Sequence, residues 1–276
     1  MPMTHQVACV SESLKPYVQI DQWGTVPVVL GHGFGTDKSA WDYLMPFLPE
    51  DFTYIRYDLA GCGSDEDTLR RYDLQRHSHL YGYADDLIEL LDSLGVQSCI
   101  YVGHSVSCMI GAIAAIARPD LFRRHIWIGP SPYYLKEENY PGTLLPEDLQ
   151  SIYEAMVTNY QAWAAGFAPL MFGVTDEHRL ANFSQTLFRL QPDIALRTLQ
   201  MIFEADTRSF ISKVKQPVHL IFNRDDFVVP QGVALWLQAA LPQSTLDWID
   251  AQGHLPHMTH PEVVGPLLRK YVIYAN

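Results

Sequence analysis

The chain predicts an α/β fold: a mostly parallel central sheet flanked by helices, with a helical segment inserted between two parts of the sheet. Three observations carry this. Short β-branched and aromatic runs alternate with helical spacing over residues 1–130, clear strand signals are missing over 131–212, and they return over 213–276. The expected organisation is one domain spanning 1–276, with a core of about 1–130 and 213–276 and a helical cap of about 131–212.

The elements follow in chain order. Residues 26–30, 53–57 and 98–102 are apolar, β-branched or aromatic runs bounded by Gly or Asp, as suits parallel strands covered on both faces. Between the second and third, residues 83–94 place Leu87, Leu90, Leu91 and Leu94 at helical spacing, and Gly95 follows as a C-terminal cap. The small apolar run 109–117 reads as a helix buried against a sheet, and 125–128 resumes strand character. The inserted region carries aromatic-rich helical segments at 149–165, 175–190 and 194–204. Strands at 218–222 and 245–249, separated by a helix over 233–240, complete a sheet that is split in sequence and continuous in space.

Composition narrows the class. Of 276 residues, 48% are hydrophobic and 18% charged, too apolar for disorder, and no run of apolar residues reaches the length of a membrane span. Nineteen Lys and Arg against 31 Asp and Glu give a formal charge of −12, which repels phosphate backbones and anionic lipid surfaces. Nucleic acid and membrane are therefore not expected as partners. Residues 1–6 show no basic run followed by an apolar stretch, so no secretory signal is read there and the expected location is the cytoplasm. Cys9, Cys62, Cys99 and Cys108 have no metal or thioredoxin spacing and read as reduced thiols, most of them small core residues.

Chemistry concentrates at Gly103-His104-Ser105-Val106-Ser107, which falls between a strand and an apolar helix. That is the context of a nucleophile elbow, where a strained turn exposes a Ser hydroxyl at a helix N-terminus. Ser107 stands where a glycine is usual, and its small side chain still allows strand and helix to approach. A Ser hydroxyl needs a base and a group that fixes the base's tautomer. In folds with this elbow the chain order is Ser, acid after a late strand, His after the last strand. Asp225 and Asp226 both stand at the acid position and His254 at the base position, while Ile128-Gly129-Pro130 after the preceding strand offers no acid. Oxyanion donors are expected from the N–H groups of Val106 and of Phe34, in the glycine-rich turn Gly31-His32-Gly33-Phe34-Gly35. His32 and His104 read as hydrogen-bonded structural residues, and Asp58 as a brace for its loop. His254, His257 and His260 are not expected to hold a metal, since Pro256 interrupts any helix that could align them. Among the cap's many rings, Tyr134, Trp163, Phe167 and Phe203 are candidates to face a ligand.

Four segments together resemble the RsbQ, karrikin-receptor and strigolactone-receptor family of α/β-hydrolases: residues 31–41, residues 101–107, Asn159 to Trp163 with Gly166 to Leu170, and Gly253 to His257. The likeness runs from about residue 5 to 273. It implies an α/β-hydrolase fold with a four-helix cap over an apolar pocket. It implies Ser105, Asp226 and His254 as the triad, Asp226 because it stands four residues before Pro230, and Phe34 and Val106 as oxyanion donors. It further implies slow hydrolysis of a small hydrophobic ester or lactone without a cofactor, and a signalling role with a protein partner bound through the cap. Ser107 and the Gly166 to Leu170 run are similar to the plant members. Gly129-Pro130-Ser131-Pro132 and His257-Met258-Thr259-His260-Pro261 are similar to RsbQ. At Gly142-Thr143-Leu144 the chain departs from the ring that plant members often carry after paired glycines.

Overall fold

The computed structural model describes residues 11–63, 66, 70–173 and 176–273. Cys9, the start of the 175–190 segment and residues 5–10 of the family likeness lie outside them. Seven strands form one sheet in the order β1-β3-β2-β4-β5-β8-β9. They are β1 (Val18–Gln22), β2 (Val26–Gly31), β3 (Phe52–Tyr57), β4 (Cys99–His104), β5 (Phe122–Ile128), β8 (Val218–Asp225) and β9 (Ser244–Gln252). Only β1 runs antiparallel, against β3; the other neighbours are parallel. β1 was not expected from the sequence. A two-stranded ribbon, β6 (Lys136–Glu137) with β7 (Tyr140–Pro141), leads into the inserted helices.

Alternation along the strands sends side chains into two cores. Val28, Leu30, Ile100, Val102, Ile126 and Ile128 face one side, with Val264 and Leu268 of the last helix packed on them. Val29, Tyr101 and Trp127 face the other, against α1 (Leu80–Ser93) and α2 (Val106–Ala117). Gly95, at φ 66, follows α1 in the left-handed conformation expected of a C-terminal cap. Cys62, Cys99 and Cys108 are buried free thiols.

Four helices fill the insertion: α3 (Pro146–Thr158), α4 (Tyr160–Phe172), α5 (Glu177–Arg189) and α6 (Pro192–Glu204). The single helix read over 149–165 is thus two. The chain breaks at Asn159, which leaves helical geometry at φ −158 and caps α4 by accepting from the Ala162 N–H at 3.0 Å. Beyond them, α7 (Gln231–Ala240) lies between β8 and β9, and α8 (Pro256–Thr259) and α9 (Pro261–Ile273) end the described chain. No helix among the described residues is long and apolar enough to cross a membrane.

Strand order places the site. The chain leaves β2 toward β3 on one side and reaches β4 on the other, so the ends of β2 and β4 diverge at a switch point, where open parallel sheets bind ligands. Gly31 and Gly103 sit on the same rung there. Further along the same edge β5 ends at Ile128, β8 at Asp225 and β9 at Gln252, bringing the segments after all five strands together.

Candidate active site

Ser105 is the one non-glycine residue with positive φ among the described residues, at φ 54 and ψ −122. Strain of this kind persists only where the surroundings over-determine it. Here strand and helix meet too closely for side chains: a Cβ on Gly103 would lie 2.9 Å from the Cys108 nitrogen. Ser107 fits because Gly31 opposite it has no side chain; a Cβ there would come 3.0 Å from the Ser107 Cβ and 2.4 Å from the Tyr101 hydroxyl. The Ser107 hydroxyl then donates to the His32 carbonyl at 2.5 Å, joining the elbow to the turn after β2.

Beside the elbow, His254 Nε2 lies 2.9 Å from Ser105 Oγ, and its Nδ1 lies 2.7 Å from Asp226 Oδ2. An ionised carboxylate only accepts, so Nδ1 carries the proton and Nε2 is left to accept from the Ser105 hydroxyl. Asp226 is held by the Val228 and Val229 N–H groups, which donate to its other oxygen at 2.8 and 3.2 Å. Asp225 is exposed, and what it brings to the site is its carbonyl, which accepts from the Gly253 N–H at 3.0 Å. Gly129 gives the imidazole room: a Cβ there would meet His254 Cε1 at 3.1 Å.

The turn after β2 lies against the elbow, since a Cβ on Gly33 would come 2.4 Å from His104 Nδ1 and 3.2 Å from the Ser105 Cβ. Among the described residues the Phe34 N–H forms no hydrogen bond. Val106 is the first residue of α2, so its N–H has no intrahelical acceptor. Lys38 fixes the far end of the turn, its backbone N–H and its ammonium each donating to the buried Asp58 carboxylate at 2.6 Å. Asp58 is thus a loop brace. His32 is structural too: its Nδ1–H donates to the Gly33 carbonyl at 2.8 Å, and Nε2 accepts from the Leu59 N–H at 3.0 Å.

Above Ser105 and His254 opens a cavity of about 630 Å³. Tyr134, Trp163, Phe167 and Phe203 all line it, Trp163 and Phe167 stacked at 4.7 Å and Phe34 meeting Phe167 edge-on at 6.3 Å. Sequence reasoning missed Phe183, Ile202, Phe227 and Leu170, which also line it. Thr143 and Leu144 belong to the wall as well. The Tyr134 hydroxyl stays a neutral phenol, because burial raises its pKa well beyond the ordinary tyrosine range.

A family model described as the alpha/beta hydrolase family matches residues 28–266. The chain belongs to the alpha/beta hydrolase family. Within it, the hydrolase is similar to proteins named karrikin insensitive 2 receptors and strigolactone esterases. It is 45% identical over 251 residues to the karrikin insensitive 2 receptor CA of Petunia hybrida, covering 90% of this chain and 92% of that one. It is 40% identical over 242 residues to the strigolactone esterase D14 of Arabidopsis thaliana, covering 87% and 90%. Among solved structures, a hydrolase from Oleispira antarctica superposes with a TM-score of 0.90 at 30% identity, covering 97% of this chain and 99% of that one.

Three further histidines accompany the site: His104 lines the cavity, and His257 and His260 follow His254 in the chain. His104 Nε2–H donates to the His254 carbonyl at 2.8 Å. The His257 ring packs 4.3 Å from His104 and 4.7 Å from Trp41, and His260 Nδ1 pairs with the Thr259 hydroxyl at 2.8 Å. Burial, aided by neighbouring imidazoles, pushes His104 well below the usual histidine range and His257 down to about 3, so both rings are neutral near pH 7. The three histidines that invited a metal reading, His254, His257 and His260, go to different partners.

Proposed function

We propose that the protein is a serine hydrolase that cleaves a small hydrophobic ester or lactone through an acyl-enzyme. The observation that carries this is the Ser105–His254–Asp226 relay, at 2.9 and 2.7 Å, opening onto a cavity walled mainly by aromatic and aliphatic side chains. Relatives named as esterases support the reaction class.

In this reading Ser105 Oγ attacks the acyl carbon as its proton passes to His254 Nε2. Asp226 holds the imidazole in the receptive tautomer and stabilises the imidazolium. Charge on the former carbonyl oxygen is met by the Phe34 and Val106 N–H groups. Collapse breaks the acyl–oxygen bond, and the departing alkoxide takes the proton back from His254. Water, deprotonated by the same nitrogen, then attacks the acyl-Ser105, releasing the acid and restoring the hydroxyl. The apolar walls favour an uncharged substrate, since a buried charge without a partner is costly. The test is hydrolysis of p-nitrophenyl acetate and of a fluorogenic butenolide. Wild type is expected to turn over and Ser105→Ala to retain only background; equal rates would refute the reading.

A second reading, a ligand-gated receptor whose turnover is secondary, is favoured by the receptor names of the plant relatives. Exposed Leu145, and Leu170 and Phe227 at the rim of the cavity, supply an apolar surface for a protein partner on the cap side. A ligand-dependent melting shift with slow turnover, together with ligand-dependent capture of a partner, supports it; fast turnover with ligand-independent capture counts against it.

A further inference from the structure

The backbone of His254 is held from two sides. Its carbonyl accepts from His104 on the elbow at 2.8 Å, and its N–H donates to the Met171 carbonyl in the last turn of α4 at 2.7 Å. The last carbonyls of a helix lack intrahelical donors. In α4 one of them is therefore satisfied by the very residue that carries the imidazole.

Two glycines make this contact possible. Gly173 ends α4 in the left-handed conformation at φ 72, its N–H bonded to the Pro169 carbonyl at 3.0 Å. Gly253, at φ 82, precedes His254. A Cβ on Gly173 would lie 2.5 Å from the Gly253 nitrogen, and a Cβ on Gly253 would lie 2.3 Å from the Phe172 carbonyl oxygen. The two backbones thus touch directly, and neither position has room for any side chain. Gly253 is itself held, its carbonyl accepting from the Asn223 amide at 2.6 Å. Helix α4 also carries Trp163, Phe167, Leu170 and Met171 into the cavity wall.

We infer that the C-terminal turn of α4 positions the catalytic base, with Gly173 and Gly253 as positioning residues that let the Met171 carbonyl hold the His254 peptide. This rests on the reading of His254 as the general base. The contact gives the cavity a mechanical route to the triad: whatever displaces α4 displaces the peptide that bears the imidazole. A base moved by about 1 Å costs about 10²-fold in rate.

Gly95 supplies the control. It also follows a helix at positive φ, 66, yet a Cβ there would meet nothing within 4 Å. Gly95→Ala and Gly173→Ala therefore share the conformational strain and differ in the contact. With p-nitrophenyl acetate, Gly173→Ala is expected to lower kcat about 10²-fold with KM little changed, and to slow labelling by a fluorophosphonate in parallel. Gly95→Ala is expected to lower the melting temperature and leave kcat unchanged. Wild-type kcat in Gly173→Ala, or a loss that only follows its unfolded fraction, overturns the inference. If Gly173→Ala does not fold, Phe172→Leu decides. It loosens the same helix end, where Phe172 packs against Phe183 at 6.4 Å, and should lower kcat about tenfold at unchanged KM; unchanged kcat there overturns the inference equally. Ser105→Ala, assayed alongside, separates the two levels. If it retains turnover, the triad reading itself fails; if it is inactive while Gly173→Ala is normal, only the positioning role fails.

Discussion

Ser107 Oγ donates to the His32 carbonyl at 2.5 Å, so the residue two places beyond Ser105 fastens the elbow to the turn that carries the Phe34 N–H. Both partners are buried. Where a glycine would give only clearance, the serine gives clearance and a bond, and Gly31 opposite provides the space.

Ser107→Ala is expected to destabilise the fold by about 1–3 kcal/mol, because the His32 carbonyl would be left buried without its donor. Ser107→Val should cost more, since its branched side chain would press into the space at Gly31. Urea unfolding at unchanged slope checks both.

Asp226→Asn should lower kcat by about 10⁴-fold, because an amide no longer fixes the Nδ1–H tautomer of His254. Asp225→Asn should leave kcat unchanged, since the Asp225 side chain is exposed and its link to Gly253 runs through the backbone carbonyl. Steady-state kinetics on the two adjacent variants checks the assignment. The reverse ranking would contradict it.

This pair shows where the sequence stops being readable. The parallel strands, the elbow and the order of serine, acid and histidine were legible, because buried strands, strained turns and chain order leave local marks. Two neighbouring aspartates after a strand have the same local marks, and the choice rested on family likeness. β1 alternates Val18 and Ile20 with polar residues over too short a run to stand out, and the break at Asn159 hides inside a continuous apolar pattern. Gly129, Gly173 and Gly253 were invisible as site residues, because their meaning lies in contacts such as that between 171 and 254, which carry no periodicity.

Stability should fall as the solution is acidified below about pH 6.5, the ordinary histidine value. His125 and His257 are both pushed down to about 3 by burial. Between about 3 and 6.5 the unfolded chain binds protons that the folded chain excludes. Each such histidine therefore adds a slope of about 1.4 kcal/mol per pH unit, with stability fully present above 6.5 and lost as pH falls. His125 sits among Tyr101, Phe122 and Trp127, with no hydrogen-bond partner for either ring nitrogen among the described residues. His125→Phe should fold at pH 7 and lose one proton of acid dependence, as read by melting temperature from pH 7 to pH 4. An unchanged acid slope would contradict this.

Lys38→Met should destabilise by about 3–5 kcal/mol, because it leaves the Asp58 carboxylate buried and without its ammonium partner. The loss should be partly recovered in Lys38→Met/Asp58→Asn. A double-mutant cycle by urea unfolding gives the coupling. No coupling would show that the turn is braced by something else.

The proposed hydrolysis makes Ser105 the nucleophile, activated by His254 and Asp226. Its most direct test is the reaction of the intact protein with a fluorophosphonate, followed by mass and peptide mapping and timed in wild type, His254→Ala and Asp226→Asn. One adduct is expected, on Ser105, forming at least about 10²-fold more slowly in both variants. An adduct on another residue, or equal rates in all three proteins, would contradict it.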